Sequence, residues 1–113
     1  MMLEENSFRE LKPLIKEYLI KSPQQESCGI IYLDGADFVF LETENLSDNK
    51  RQTFCIDPQV ILKYNPVCIV HSHINETAYP SDIDILNSSE LCIPYLIYSL
   101  RFDEFYLYQN KSV

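Results

Sequence analysis

The chain has 113 residues, 46% of them hydrophobic and 23% charged, with only two glycines. That is material for one folded core, and it excludes a multidomain enzyme, a repeat array and a low-complexity chain, so residues 1–113 are expected to form one domain. Seventeen acidic against nine basic side chains leave a formal charge of -8, which excludes the general electrostatic footprint of a nucleic-acid binder.

Glu4, Glu5 and Glu10 precede any apolar run, so the opening does not read as a secretory signal. No stretch reaches eighteen uninterrupted apolar residues, and no membrane span is expected. Ser7 to Lys21 is predicted to be a helix. Leu11, Leu14, Ile15, Tyr18 and Leu19 recur at helical spacing, with Ser7 and Glu10 as a capping box and Pro13 in the first turns.

Cys28 to Leu33 and Phe38 to Leu41 flank Asp34 and Gly35 and read as a hairpin, followed by a polar loop from Glu42 to Lys50. Arg51 to Ile56 is expected to add a strand. Asp57 and Pro58 then start a short helix to about Tyr64, which Asn65 and Pro66 end. Val67 to Val70 is a strand that delivers His71 and His73. A third helix runs from Ser81 or Asp82 to about Leu91, and strands cover Ile93 to Leu100 and Phe102 to Tyr108. The expected class is mixed α/β, one sheet flanked by helices.

Cys28, Cys55, Cys68 and Cys92 lie 27, 13 and 24 positions apart with no CxxC pair. This spacing argues against structural zinc or a disulfide scaffold and for reduced, mostly buried thiols in a cytoplasmic setting.

The segment HSHINETAYPSDID, His71 to Asp84, carries the chemistry. Two imidazoles and a carboxylate, His71, His73 and Asp84, suit a borderline cation such as zinc and leave a fourth position open. Alternate residues of one strand share a face, so His71 and His73 can converge. Hydrolysis also needs a proton carrier, for which Glu26, just before the first strand, is the candidate; Ser81 can donate to a carbonyl oxygen that gains charge.

Histidine, one residue, histidine, seven residues, serine, two residues, aspartate is matched by His71, His73, Ser81 and Asp84 without a gap change. The string resembles the JAMM signature of the JAB/MPN metallopeptidase family, and Glu26 in ESCGIIY stands where that family carries its upstream glutamate. The nearest likeness is to the small bacterial and phage branch, in particular the amino-terminal JAB domain of lambda-type tail-tip assembly proteins. It rests on ESCG at Glu26 to Gly29, Asn45, FCIDP at Phe54 to Pro58, IVHSH at Ile69 to His73, PSDID at Pro80 to Asp84 and IPYLIYSL at Ile93 to Leu100.

The resemblance implies a single MPN/JAB domain with a cytidine-deaminase-like mixed sheet. It also implies one zinc on His71, His73 and Asp84, Glu26 as general base, and Ser81 assisting the tetrahedral intermediate. The implied reaction is hydrolysis of a peptide or isopeptide bond. The implied partner is a protein or peptide substrate, such as a ubiquitin-like tail, a sulfur-carrier precursor or a phage tail protein, with no nucleic acid and no membrane, in the host cytoplasm for a phage-encoded chain. The alternative is a phage tail-assembly protein with weak or incidental peptidase activity. Ile74 stands where family members commonly have proline, which bears on loop shape rather than on the ligands. A thiol mechanism through Cys28 lacks a sequence-linked base, and its apolar neighbours Ile30 and Ile31 favour burial.

Overall fold

A computed structural model describes residues 3–109. A short 3-10 turn at Glu5–Phe8 precedes helix α1 at Lys12–Leu19. There follow β1 Cys28–Asp34, β2 Asp37–Thr43, α2 Pro58–Tyr64, β3 Cys68–His73, α3 Asp82–Leu91, β4 Tyr95–Ser99 and β5 Glu104–Tyr108. The five strands form one mixed sheet in the order β2-β1-β3-β4-β5. Only β3 and β4 pair in parallel.

Most strand ends move by one to three residues, and two larger departures from expectation each have a local reason. The first helix starts at Lys12 rather than Ser7, because Pro13 has no amide hydrogen and is accommodated within the first turn. Ser7 instead accepts from the Glu4 amide at 3.2 Å, and Phe8 is wholly buried edge-on against Phe38. Arg51 to Ile56 forms no strand. The Gln52 and Thr53 amides both donate to the Asn49 carbonyl, and the Cys55 amide donates to the Asn45 side chain. With these groups consumed locally, the segment lies as a strap and not in the ladder.

Period-two alternation sorts the sheet's side chains onto two faces. Ile31, Cys68, Val70, Leu96 and Tyr98 meet Phe8, Ile15 and Leu19 on one side. Cys28, Ile30, Ile69, Tyr95 and Ile97 meet Ile56, Val60, Ile61 and Tyr64 on the other. The sheet is therefore flanked by helices on both faces. Continuing the alternation of β3 past Ile69 puts His71 and His73 on the second face. Among the described residues, no helix is long and apolar enough to cross a membrane.

Candidate metal centre

The β1–β3 ladder sets Cys28 opposite His71. One step further, the Ser72 amide donates to the Ser27 carbonyl at 3.0 Å, and the Ser27 amide donates to Ser72 Oγ at 2.9 Å. This extension brings Glu26, which belongs to no strand, alongside the end of β3. Asp84 arrives from the first turn of α3, where Ser81 is the N-cap. The Asp84 amide donates to Ser81 Oγ at 3.1 Å and the Ser81 amide donates to Asp84 Oδ2 at 3.0 Å, a reciprocal capping box that fixes the carboxylate's direction.

All five residues expected at the site come together. Glu26, His71, His73 and Asp84 are each at most 7% exposed, while Ser81 is exposed at the rim. His71 Nε2 lies 3.0 Å from Asp84 Oδ1 and His73 Nε2 lies 3.0 Å from Asp84 Oδ2. Glu26 Oε1 is 3.3 Å from His71 Nδ1. One ligand atom each from Glu26, His71 and His73 fall within 4.8 Å of one another, a buried cluster compatible with holding a metal ion.

The backbone decides which nitrogen of each ring carries hydrogen. His73 Nδ1 is 2.7 Å from the Thr77 carbonyl and His71 Nδ1 is 3.2 Å from the Ser72 carbonyl. A carbonyl only accepts, so both Nδ1 atoms are donors, and each neutral ring would present its Nε2 lone pair to Asp84. A lone pair facing a carboxylate is repulsive, so the arrangement requires a cation between them, either protons or a metal. His71 Nε2 makes the point sharply: close to Asp84 in distance, it is buried and makes no directed hydrogen bond. Two soft-to-borderline nitrogen donors and a carboxylate oxygen are also the donor set that zinc takes. The residues therefore fit a metal ion.

Charge in this pocket is strongly redistributed. Burial pulls the His71 imidazole down, but the neighbouring Asp84 and then Glu26 carboxylates, which favour the protonated ring, outweigh it and push the pKa up to about 9. His73 is likewise raised, burial being outweighed chiefly by Asp84. Burial would raise Asp84, yet the His71 and His73 imidazoles hold its carboxyl well below the usual carboxylate range. Glu26 goes the other way: burial raises it, with the His71 hydrogen bond opposing. Two carboxyls that flank one imidazole, Glu26 at Nδ1 and Asp84 at Nε2, thus differ in proton affinity.

The cluster opens into a cleft of about 570 Å³ lined by Glu26, Phe54, His73, Ser81, Ile83 and Asp84 among others. Phe54 and Thr77 are parts of the site that sequence reasoning missed. Phe54 stacks on His71 with ring centroids 4.2 Å apart and planes 23° apart, and Tyr95 meets the same imidazole edge-on at 5.8 Å. Phe54 was visible only as part of the FCIDP match. The Thr77 carbonyl, a backbone group, leaves no residue-type signal. Its loop is held from below: Ser99 Oγ donates to the Glu76 carbonyl at 2.5 Å and the Ala78 amide donates to Glu104 at 3.2 Å.

Comparison with known proteins adds the fold. No protein-family model matches the chain, and no curated protein matches it. Among solved structures it is similar to the solution structure of protein DSY2949 from Desulfitobacterium hafniense, at 21% identity and a TM-score of 0.59, covering 92% of this chain and 83% of that one. At that identity the likeness shows a shared mixed α/β architecture with a central sheet flanked by helices, and a buried Glu26, His71, His73 and Asp84 cluster is what this chain places on it.

Proposed function

We propose that the chain is a zinc-dependent hydrolase of the JAMM type, an MPN/JAB domain that cleaves a peptide or isopeptide bond in a protein substrate. The observation that carries the reading is the meeting of Glu26, His71, His73, Ser81 and Asp84, drawn from three separate segments, at one cleft. His71 Nε2, His73 Nε2 and Asp84 would hold the zinc, which supplies Lewis-acid polarisation of a carbonyl and of water.

The residues divide the remaining work. Thr77 and Ser72 hold both imidazoles in the Nδ1–H form that leaves Nε2 for the metal. Ser81 accepts from the Asp84 amide through its oxygen, so its own proton remains to donate to a carbonyl oxygen as charge builds there. Glu26, with a carboxyl raised by burial, accepts a proton from the attacking water and returns it to the leaving amine. The net change is addition of water across one C–N bond, with no redox partner.

The resemblance points to three substrate classes: an isopeptide on a ubiquitin-like tail, a sulfur-carrier precursor, or a phage tail component. The test is metal content by elemental analysis after zinc loading, followed by capture of substrates with Glu26→Gln. One zinc per chain and enrichment of cleavable proteins on Glu26→Gln are expected. Zinc near zero despite supplementation would overturn the reading. Zinc without any hydrolysis would leave a metal-bearing assembly protein instead.

A further inference from the structure

Two parts of the sequence pattern have no role in the chemistry above: Asn45, after the first hairpin, and the strap around Phe54. The structure joins both to Glu26. Asn45 is 3% exposed, and its carboxamide uses its full hydrogen-bonding capacity on backbone groups. Nδ2 donates to the Glu26 carbonyl at 2.8 Å and to the Thr53 carbonyl at 3.0 Å. Oδ1 accepts from the Ser47 and Cys55 amides, each at 3.0 Å. Two donors and two acceptors are all that an asparagine side chain offers.

These bonds join two parts of the cleft's lining, Glu26 and the strap at Thr53. Glu26 lies before β1 with no strand ladder of its own, and its amide donates to Lys50 at 2.7 Å, so both of its backbone groups are held from the segment that follows β2. On the strap's side, the bonds to Thr53 and Cys55 bracket Phe54, whose ring stacks on His71. The Leu46 amide closes the strap by donating to the Cys55 carbonyl at 2.8 Å. None of these hydrogen bonds involves β3 or α3, which carry His71, His73 and Asp84.

We propose that Asn45 is a positioning residue for Glu26: one buried carboxamide clamps the residue bearing the proton carrier to the strap that packs Phe54 on His71. The catalytic part of this rests on the hydrolase reading. The clamp itself is a property of the fold and is tested separately.

Metal-free Asn45→Ala and Asn45→Asp proteins are compared with wild type by amide hydrogen exchange. Asn45→Asp retains acceptors for Ser47 and Cys55 while removing the amide donors to Glu26 and Thr53. In Asn45→Ala, protection is expected to fall about a hundredfold at the Cys55 amide, which loses its acceptor, and at the Glu26 amide, whose bond to Lys50 opens once the Glu26 carbonyl is released. Protection at Val70 and Ile97 stays within about threefold. In Asn45→Asp, Glu26 loses protection and Cys55 largely retains it. Both variants still take up one zinc per chain. On the substrate captured with Glu26→Gln, kcat falls about thirtyfold with KM within about twofold, because the base and not the binding surface has shifted.

Wild-type protection of the Glu26 amide in folded Asn45→Ala would overturn the clamp. So would loss of protection through β3 and β4 in both variants, or failure of both to fold, since Asn45 would then serve the whole sheet. Absence of zinc or hydrolysis in wild type would instead refute the hydrolase reading and leave the exchange result standing.

Discussion

Replacing Asp84 by asparagine removes the anion that faces both Nε2 atoms while keeping its size and an acceptor for the Ser81 amide. In metal-free protein the His71 imidazole is pushed up to about 9, burial being outweighed by Asp84 and Glu26; in an unfolded chain it titrates near 6.5. A group raised on folding stabilises the fold fully below its unfolded value and loses that contribution as pH climbs through the folded one. The span from 6.5 to about 9 is worth roughly 3 kcal/mol at about 1.4 kcal/mol per tenfold. His71 is wholly buried, so solvent screening does not reduce this. The lowered Asp84 carboxyl is the other side of the same pairing and is not added again; burial and Glu26 act on His71 in both proteins and with opposite signs, so the span sets the scale of what Asp84 contributes. Urea unfolding of chelated protein should therefore separate wild type from Asp84→Asn by about 3 kcal/mol at pH 6, shrinking below about 1 kcal/mol by pH 9.5, with equal m-values. A gap constant with pH, or one that widens toward pH 9.5, would refute the account of a shared cation site.

Zinc should compete with those protons, so its affinity rises between about pH 6 and pH 9 and binding releases protons, measurable by calorimetry in buffers of different ionisation enthalpy. Combined alanine replacement of His71 and His73 should abolish the one-zinc stoichiometry read by elemental analysis. Ser81→Ala should keep zinc and lose about ten- to a thousandfold in turnover on a captured substrate, the range for one transition-state hydrogen bond. Gly29→Ala should destabilise by about 1–3 kcal/mol in urea, because a Cβ there would lie 2.6 Å from the Leu41 carbonyl oxygen, a backbone atom that cannot swing away. Cys28→Ala should cost about 1 kcal/mol and leave zinc and turnover intact. Burial pushes the Cys28 thiol up to about 11, so it should also resist alkylation in folded protein at neutral pH, as mass spectrometry would show.

What was legible in the sequence was what local spacing controls. His71 and His73 share a face because a strand alternates, and Asp84 follows Ser81 by three because a capping box needs that interval. The turn at Gly35, with φ of 63°, and the stop at Asn65, with φ of 48°, were likewise readable from residue type. The strap from Arg51 to Ile56 was not. Its apolar Phe54 and Ile56 suggest a strand, but a strand also needs free backbone groups and a neighbour to pair with. Asn45 and Asn49 take up those groups, and such side-chain competition leaves no periodicity to detect.

The position of Glu26 is the harder case, because no local signal within ESCG distinguishes a proton carrier from an exposed carboxylate. Its place follows from the pairing of β1 with β3, a contact across more than forty residues in which Cys28 stands opposite His71. Running that antiparallel register two positions further sets Glu26 level with His73. A slip of one residue would turn Cys28, Ile30 and their neighbours to the wrong face of the sheet. The apolar alternation of β1 that fills the core beneath His71 therefore also fixes where the carboxylate arrives. Hydrophobic burial specifies the register, and the register specifies where Glu26 stands. Spacing alone could not place Glu26 beside His71 because the ESCG and IVHSH segments meet only through the pairing of β1 with β3.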